Sequence, residues 1–108
     1  MSRQTLQHFE LHVLLAMVRE RAETYSVPLV LALEQQTGRP VAQAAVFIAL
    51  KRLERKGLVT SRLDEPDSGR ARRYFSVTPD GFAAVEAHRL EHQRLWHGIG
   101  RVFRARKA

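Results

Sequence analysis

The stretch Ala44–Leu63, AAVFIALKRLERKGLVTSRL, changes its hydrophobic period once, and that change decides the fold. Ala45, Val46, Ala49, Leu50 and Leu53 recur at three- and four-residue steps, the core stripe of a helix predicted from about Ala42 to Lys56. Gly57 is its stop. Beyond it the residues Leu58–Leu63 read as a strand with Val59, Ser61 and Leu63 on one face. The helix has a second face, on which Gln43, Phe47 and Lys51 stand at i, i+4 and i+8. Arg52, Arg55 and Lys56 occupy its last two turns, where the helix dipole favours cations and where bases also meet phosphates.

Working upstream, a linker of about four residues holding Gly38 and Pro40 separates this helix from a shorter one, predicted over Ser26–Gln36. Ser26 suits its N-cap and Pro28 its first turn. Before a break at Ala22–Tyr25, Leu6, Phe9, Val13, Leu14 and Met17 mark a helix from Thr5 to Arg21. Leu11, Leu15 and Val18 widen its stripe, which a covering partner subunit would explain. Downstream, residues 64–71 carry turn chemistry, and Arg72–Val77 returns as a strand with Phe75 and Val77 inward. Thr78-Pro79-Asp80 then supplies an N-cap, an N1 proline and a first-turn acid for a last helix reaching about Arg104. Phe82, Val85, Trp96, Ile99 and Phe103 give it a seam, interrupted by Arg89 and His92. Gly98 and Gly100 predict a kink or fraying, and Arg104–Ala108 reads as a basic tail.

The chain has 108 residues, enough for one modest core. No cysteine is present, which excludes disulfides, thiolate metal sites and cysteine nucleophiles. The longest apolar runs, Val27–Leu33 and Ala44–Leu50, are far below the roughly twenty residues of a membrane span. The opening MSRQTLQHFE lacks a signal-peptide core, so a cytoplasmic protein is expected. Eighteen Lys+Arg against eleven Asp+Glu leave a net charge of +7, and fifteen of those bases are arginine. A polyanionic partner fits that excess. Between Arg39 and Arg73 nine bases face four acids, and a comparable excess lies beyond Arg89.

Two short helices joined by a tight link, then a basic hairpin, make a helix-turn-helix with a wing. The fold class is therefore mainly α with a small β-hairpin wing, followed by a long C-terminal helix. On this division residues 1–79 are the winged helix-turn-helix and 80–108 the C-terminal helix and basic tail. On the third helix Gln43 can pair with adenine and Lys51 can reach guanine or phosphate. Phe47 reads equally as a ring pressed on a thymine methyl and as a core residue beside the second helix. At the wing tip Arg70, Arg72 and Arg73 can track phosphates or enter the minor groove.

The stretches FELHVLLAMV, TYSVPLVLALEQQTGRPV, AAVFIALKRLERKGLVTSRL and GRARRYFSVTPDGFAAV resemble the PadR family of bacterial winged-helix repressors. The resemblance runs from Phe9 to Val85, with Ala49–Leu58 and the Thr78–Gly81 helix opening its most specific parts. It implies a dimeric transcription regulator whose last helix pairs the subunits. Leu6, Phe9, Leu95, Trp96, Ile99, Val102 and Phe103 are the dimerisation candidates. It also implies that Tyr25, the start of the third helix at Gln43 and Ala44, and the wing touch double-stranded operator DNA. Ala42, Ala44 and Phe47 depart from the family's usual Ser, Gly and Tyr, and Arg70-Ala71-Arg72 replaces a wing Gly-Gly.

Other features have blander readings. The pairs His8–His12 and His88–His92 have metal-ligand spacing but no clear third ligand, so they read as surface histidines, with no metal and no cofactor. Asp64, Glu65 and Asp67 offset neighbouring arginines. Arg52 and Glu54 suit ion-pair or solvent positions better than base reading. Trp96 fits interface packing, or a cavity wall on which a small aromatic effector stacks. No phosphate loop, nucleophile elbow or carboxylate pair with a base is present, so no enzyme is expected. The expectation is a homodimeric repressor at an inverted-repeat operator that excludes polymerase and is released by a small aromatic ligand. The rival readings are a winged-helix protein-interaction module and a non-specific basic DNA binder.

Overall fold

The computed structural model describes residues 6–67 and 69–107. Its elements run α1 (His8–Glu20), α2 (Ser26–Thr37), α3 (Gln43–Arg55), β1 (Val59–Asp64), β2 (Arg72–Val77), α4 (Pro79–Trp96) and α5 (Ile99–Lys107). The order is that of a winged helix-turn-helix followed by a helical arm.

The core lies where α1, α2 and α3 meet the base of the hairpin. Val13, Leu14 and Met17 of α1, Leu29 and Leu33 of α2, and Val46, Ala49, Leu50 and Leu53 of α3 converge there with Leu58, Val59 and Phe75. Each helix contributes one face, because residues three and four apart share a side. Leu6 and Phe9 pack against the edge of this cluster. Within α1 the widened stripe is unevenly covered, with Leu11 and Val18 half-buried and Leu15 exposed.

Helix α1 starts at His8 instead of Thr5, which lies outside the described residues. Gln7 caps it, and the Glu10 carboxylate reaches back to the Gln7 N–H at 2.8 Å. Tyr25, not Ser26, is the N-cap of α2, and Ser26 is its first helical residue. The break before it is more than a break. Thr24 exchanges two backbone hydrogen bonds with Phe75, at 3.0 and 2.7 Å, so the segment pairs with the outer side of β2. Gly38 ends α2 in the left-handed conformation expected of a helix-stopping glycine.

On α3 the stripe holds except at Ala45, which is exposed. It sits in the first turn, beyond the edge of the core that α1 and α2 form. The hairpin pairs antiparallel from Val59↔Val77 to Asp64↔Arg72. Leu63 shares the face of the buried Val59 but is 46% exposed, because the outer hairpin extends past the core that covers Val59. Thr78 caps α4 as expected, its hydroxyl accepting from the Gly81 N–H at 3.0 Å and donating to the Gly57 carbonyl at 2.7 Å. Gly81 is buried against the Leu58 carbonyl, where an added Cβ would lie only 2.1 Å from the oxygen.

The last helix is two helices. His97 leaves the helical conformation and Gly98 takes φ +82°, so α4 ends at Trp96 and α5 begins at Ile99. The kink expected near Gly98 is a full interruption. The basic tail is helical through Lys107; Ala108 lies outside the described residues.

Candidate nucleic-acid interface

The exposed face of α3, the start of α2 and the returning strand of the wing enclose one groove of about 250 Å³. Tyr25, Ser26, Val27, Gln43, Phe47 and residues 70–73 line it. Three segments far apart in sequence are thus brought together by the tight α2–α3 link and by the Thr24–Phe75 pairing.

Both helix starts at this groove lack an acidic residue in their first turn and a side-chain hydrogen bond at the cap. Unfilled N–H groups at a helix start favour an anion. Gln43 Nε2 donates to Ser26 Oγ at 3.1 Å, tying the two helix starts together. Ala44 is exposed beside it. The Phe47 ring meets Phe75 edge-on at 6.2 Å, and 41% of the residue remains exposed. Lys51, one turn on, is exposed and 3.7 Å from Glu54.

On the wing, Arg72 lies with its guanidinium carbon 4.2 Å from the Tyr25 ring centroid. Arg73 Nη1 donates to Ser61 Oγ at 3.1 Å, and that hydroxyl in turn donates to Glu54. Arg70 is exposed at the mouth of the groove. Tyr25, Gln43, Phe47, Arg70, Arg72 and Arg73 therefore share one surface, while Lys51, further along the Gln43–Phe47 face of α3, and Ala44 are exposed outside the groove.

Two bases are withdrawn from that surface. Lys56, placed by its sequence position among bases able to meet phosphate, turns inward and donates to the buried Glu10 carboxylate at 2.6 Å. Burial alone would raise the Glu10 pKa. The Lys56 hydrogen bond, the Gln7 N–H and the charges of Lys56 and Arg52 outweigh it and hold the carboxyl below its ordinary value. Arg62 is the second, bound by two nitrogens to Glu23 at 2.6 and 2.8 Å. Those hydrogen bonds lower the Glu23 pKa against the opposing effect of desolvation, with the Arg62 charge adding to them. The +5 counted between Arg39 and Arg73 is thus partly neutralised by partners from α1 and the segment before α2.

Glu23, Arg62 and Tyr74 border this surface without lining the groove, and the sequence did not mark them. One signal was available: counting the hairpin register places Arg62 directly opposite Tyr74. Nothing local announces that Glu23, thirty-nine residues before Arg62, closes on it.

The dimerisation candidates fall into two sets. Leu6 and Phe9 pack on the core of their own chain. Leu95, Trp96, Val102 and Phe103 are exposed on the arm, Leu95 at 69%, while Ile99 is half-buried beside Gly98. Trp96 lies 5.7 Å from His92, ring to ring. The shallow depression on α4 is lined by Leu90, Gln93, Arg94 and His97, without Trp96. His8 and His12 meet edge-on at 5.0 Å. Burial, then the His8 and Arg39 charges, lower the His12 pKa. Among the described residues no group of three possible ligands gathers around a metal position. No helix among them is long and apolar enough to cross a membrane.

A family model of the PadR-like transcriptional regulators matches residues 14–87, which spans α1 to the first half of α4. The chain belongs to the PadR-like family. Its fold is the winged helix of solved PadR-like structures. A PadR-like transcription factor from Bacteroides fragilis superposes with a TM-score of 0.75 at 17% identity, covering 87% of this chain and 88% of its own. A PadR family transcriptional regulator from Eggerthella lenta gives 0.70 at 26% identity, covering 88% and 87%. RosR of H. salinarum gives 0.70 at 22%, covering 90% and 83%. No curated protein matches the chain by sequence. The PadR-like family is one of transcription regulators and not of enzymes, in keeping with the missing catalytic motifs.

Proposed function

We propose that this PadR-like chain binds double-stranded DNA as a homodimer and represses transcription from an inverted-repeat operator. The observation that carries the reading is the shared groove, in which the α3 reading face and the three wing arginines open on the same side as two acid-free helix starts. A helix of thirteen residues fits the major groove, and Gln43, Phe47 and Lys51 stand on the face that would point into it. Arg70, Arg72 and Arg73 then reach the adjoining backbone or minor groove.

Pairing through the arm follows from the exposed Leu95, Trp96, Val102 and Phe103. A two-fold pair predicts half-sites about one helical turn apart. Repression then follows from exclusion of polymerase at that site. Release by a flat aromatic ligand stacking on Trp96 belongs to the same reading.

The test is a genomic selection with purified protein, sheared DNA of the source organism and about 150 mM salt, where specific sites should exceed others by a thousandfold or more. Enrichment of one palindromic sequence supports a sequence-specific regulator. Uniform retention that falls steeply with salt makes it a non-specific binder, and no retention makes it an interaction module. On an enriched site, Gln43→Ala is expected to relax base preference, whereas Lys51→Ala weakens binding on all sequences. Equal loss on every sequence for Gln43→Ala would remove its reading role.

A further inference from the structure

The side chains between the wing and the start of α2 form a continuous stack. At one end the Glu23 carboxylate holds Arg62 by two hydrogen bonds. Arg62 then lies over Tyr74, its guanidinium carbon 4.9 Å from the ring centroid. The Tyr74 ring meets Tyr25 at 5.6 Å and 72°, edge to face. At the far end Arg72 covers the Tyr25 ring at 4.2 Å. Beneath the stack the backbone is fixed by the Thr24–Phe75 pairing.

The two arginines end differently. Arg62 is committed to a carboxylate, whereas Arg72 makes no salt bridge among the described residues, shares a side-chain hydrogen bond with Tyr74 and lines the groove. We infer that Tyr25 is a positioning residue whose ring holds the Arg72 guanidinium ready for DNA, with Arg62 and Tyr74 bracing that ring from behind. The inference rests on the DNA-binding reading above. It assigns Tyr25 a different part from the direct DNA contact that the family resemblance implies.

The chemistry favours this arrangement. A cation over a ring uses the face of the guanidinium and leaves its N–H edge free for a phosphate or a base. An arginine already laid on a ring has surrendered part of its rotamer freedom before docking, so less is lost on binding. The ring supplies both effects, and the phenolic hydroxyl supplies neither.

The experiment is fluorescence anisotropy of the full chain with a labelled random-sequence duplex of about 30 base pairs at about 50 mM salt, where electrostatic binding is strong. Tyr25→Leu is expected to weaken binding about two- to fivefold, the size of an exposed cation–π contact. Arg72→Ala is expected to weaken it further and to reduce the log–log salt slope by about 1. The double variant should bind no worse than Arg72→Ala alone. Tyr25→Phe, which keeps the ring, should restore most of what Tyr25→Leu loses. In the DNA-free protein, the Arg72 side-chain proton resonances should be displaced by the Tyr25 ring current, and the displacement should vanish in Tyr25→Leu.

Loss in Tyr25→Phe equal to that in Tyr25→Leu would move the contact to the hydroxyl and overturn the inference. Additive losses in the double variant would do the same, as would Arg72 resonances without a ring-current shift. If the unaltered chain binds no duplex at all, the DNA reading falls and the inference falls with it, while the resonances still report whether the stack exists.

Discussion

The winged body and the helical arm are built from similar amino acids and use them in opposite ways. In the body, Val13, Leu14, Leu29, Val46, Leu50 and Leu53 are wholly buried. Among the described residues of the arm only Gly81 is buried, at the point where α4 leaves the body, and α5 buries none of them. Phe82, Leu90, Leu95, Trp96, Val102 and Phe103 all face outward. Apolar surface of that extent stabilises a fold only when something covers it. A nine-residue helix with a glycine at its second position is also too short to persist alone in water. The body carries its own stability; the arm borrows it from whatever lies against it.

The comparison is broken most directly from the body side. Leu50→Ala removes a fully buried side chain where three helices meet, and is expected to cost about 2–5 kcal/mol in chemical denaturation. A cost near zero would show that the core does not close around α3.

The next test concerns the ion pair that pins α3 to α1. Lys56→Ala removes a charged hydrogen bond to the buried Glu10, with an expected loss of about 1.5–3 kcal/mol. Its pH dependence has a definite sign. Glu10 has a folded pKa below its unfolded value of about 4.5, so its contribution is complete above that value and is lost as pH falls through the folded pKa. In Lys56→Ala burial acts with less opposition, so acid should begin to destabilise the variant at a higher pH than the parent. Denaturation midpoints measured from about pH 7 down to about pH 3 decide it, and curves of identical shape would mean that Lys56 does not hold the carboxylate.

The smallest effect sharpens the contrast from the arm side. Trp96→Ala alters an exposed residue and should change the stability of the winged body by no more than about 0.5 kcal/mol. Sedimentation should nevertheless show weaker self-association. Unchanged association would place the subunit contact elsewhere.

The same contrast explains what was legible before the fold was known. Regular local patterns read well. The Gly57 stop, the Thr78-Pro79-Asp80 opening and the paired strands all stand where short-range chemistry places them. Ala45 was misplaced, and Leu63 is exposed although it shares the face of Val59, because both continue a correct period beyond the edge of the core, and periodicity carries no information about where a core ends. The candidate site was legible as a set of exposed bases and an exposed face of α3. It was not legible as a set of partners. Glu10 and Lys56 are separated by forty-six residues and Glu23 and Arg62 by thirty-nine, so their pairing depends on how α1 and the α2 start pack against the rest. A basic residue's position on a helix says that it can reach phosphate, not that it is free to do so.

Gly81 carries a consequence for spacing. A side chain there would collide with the Leu58 carbonyl, so the position admits the one residue without a Cβ and fixes the angle at which α4 departs. From that pivot α4 runs fifteen residues further to Trp96, about 23 Å, and a tilt of about 10° at its root would swing its tip about 4 Å. That exceeds the rise of about 3.4 Å between successive base pairs. In the proposed dimer, a fixed joint remote from any base would therefore act as the ruler, deciding which operator lengths both subunits would span at once.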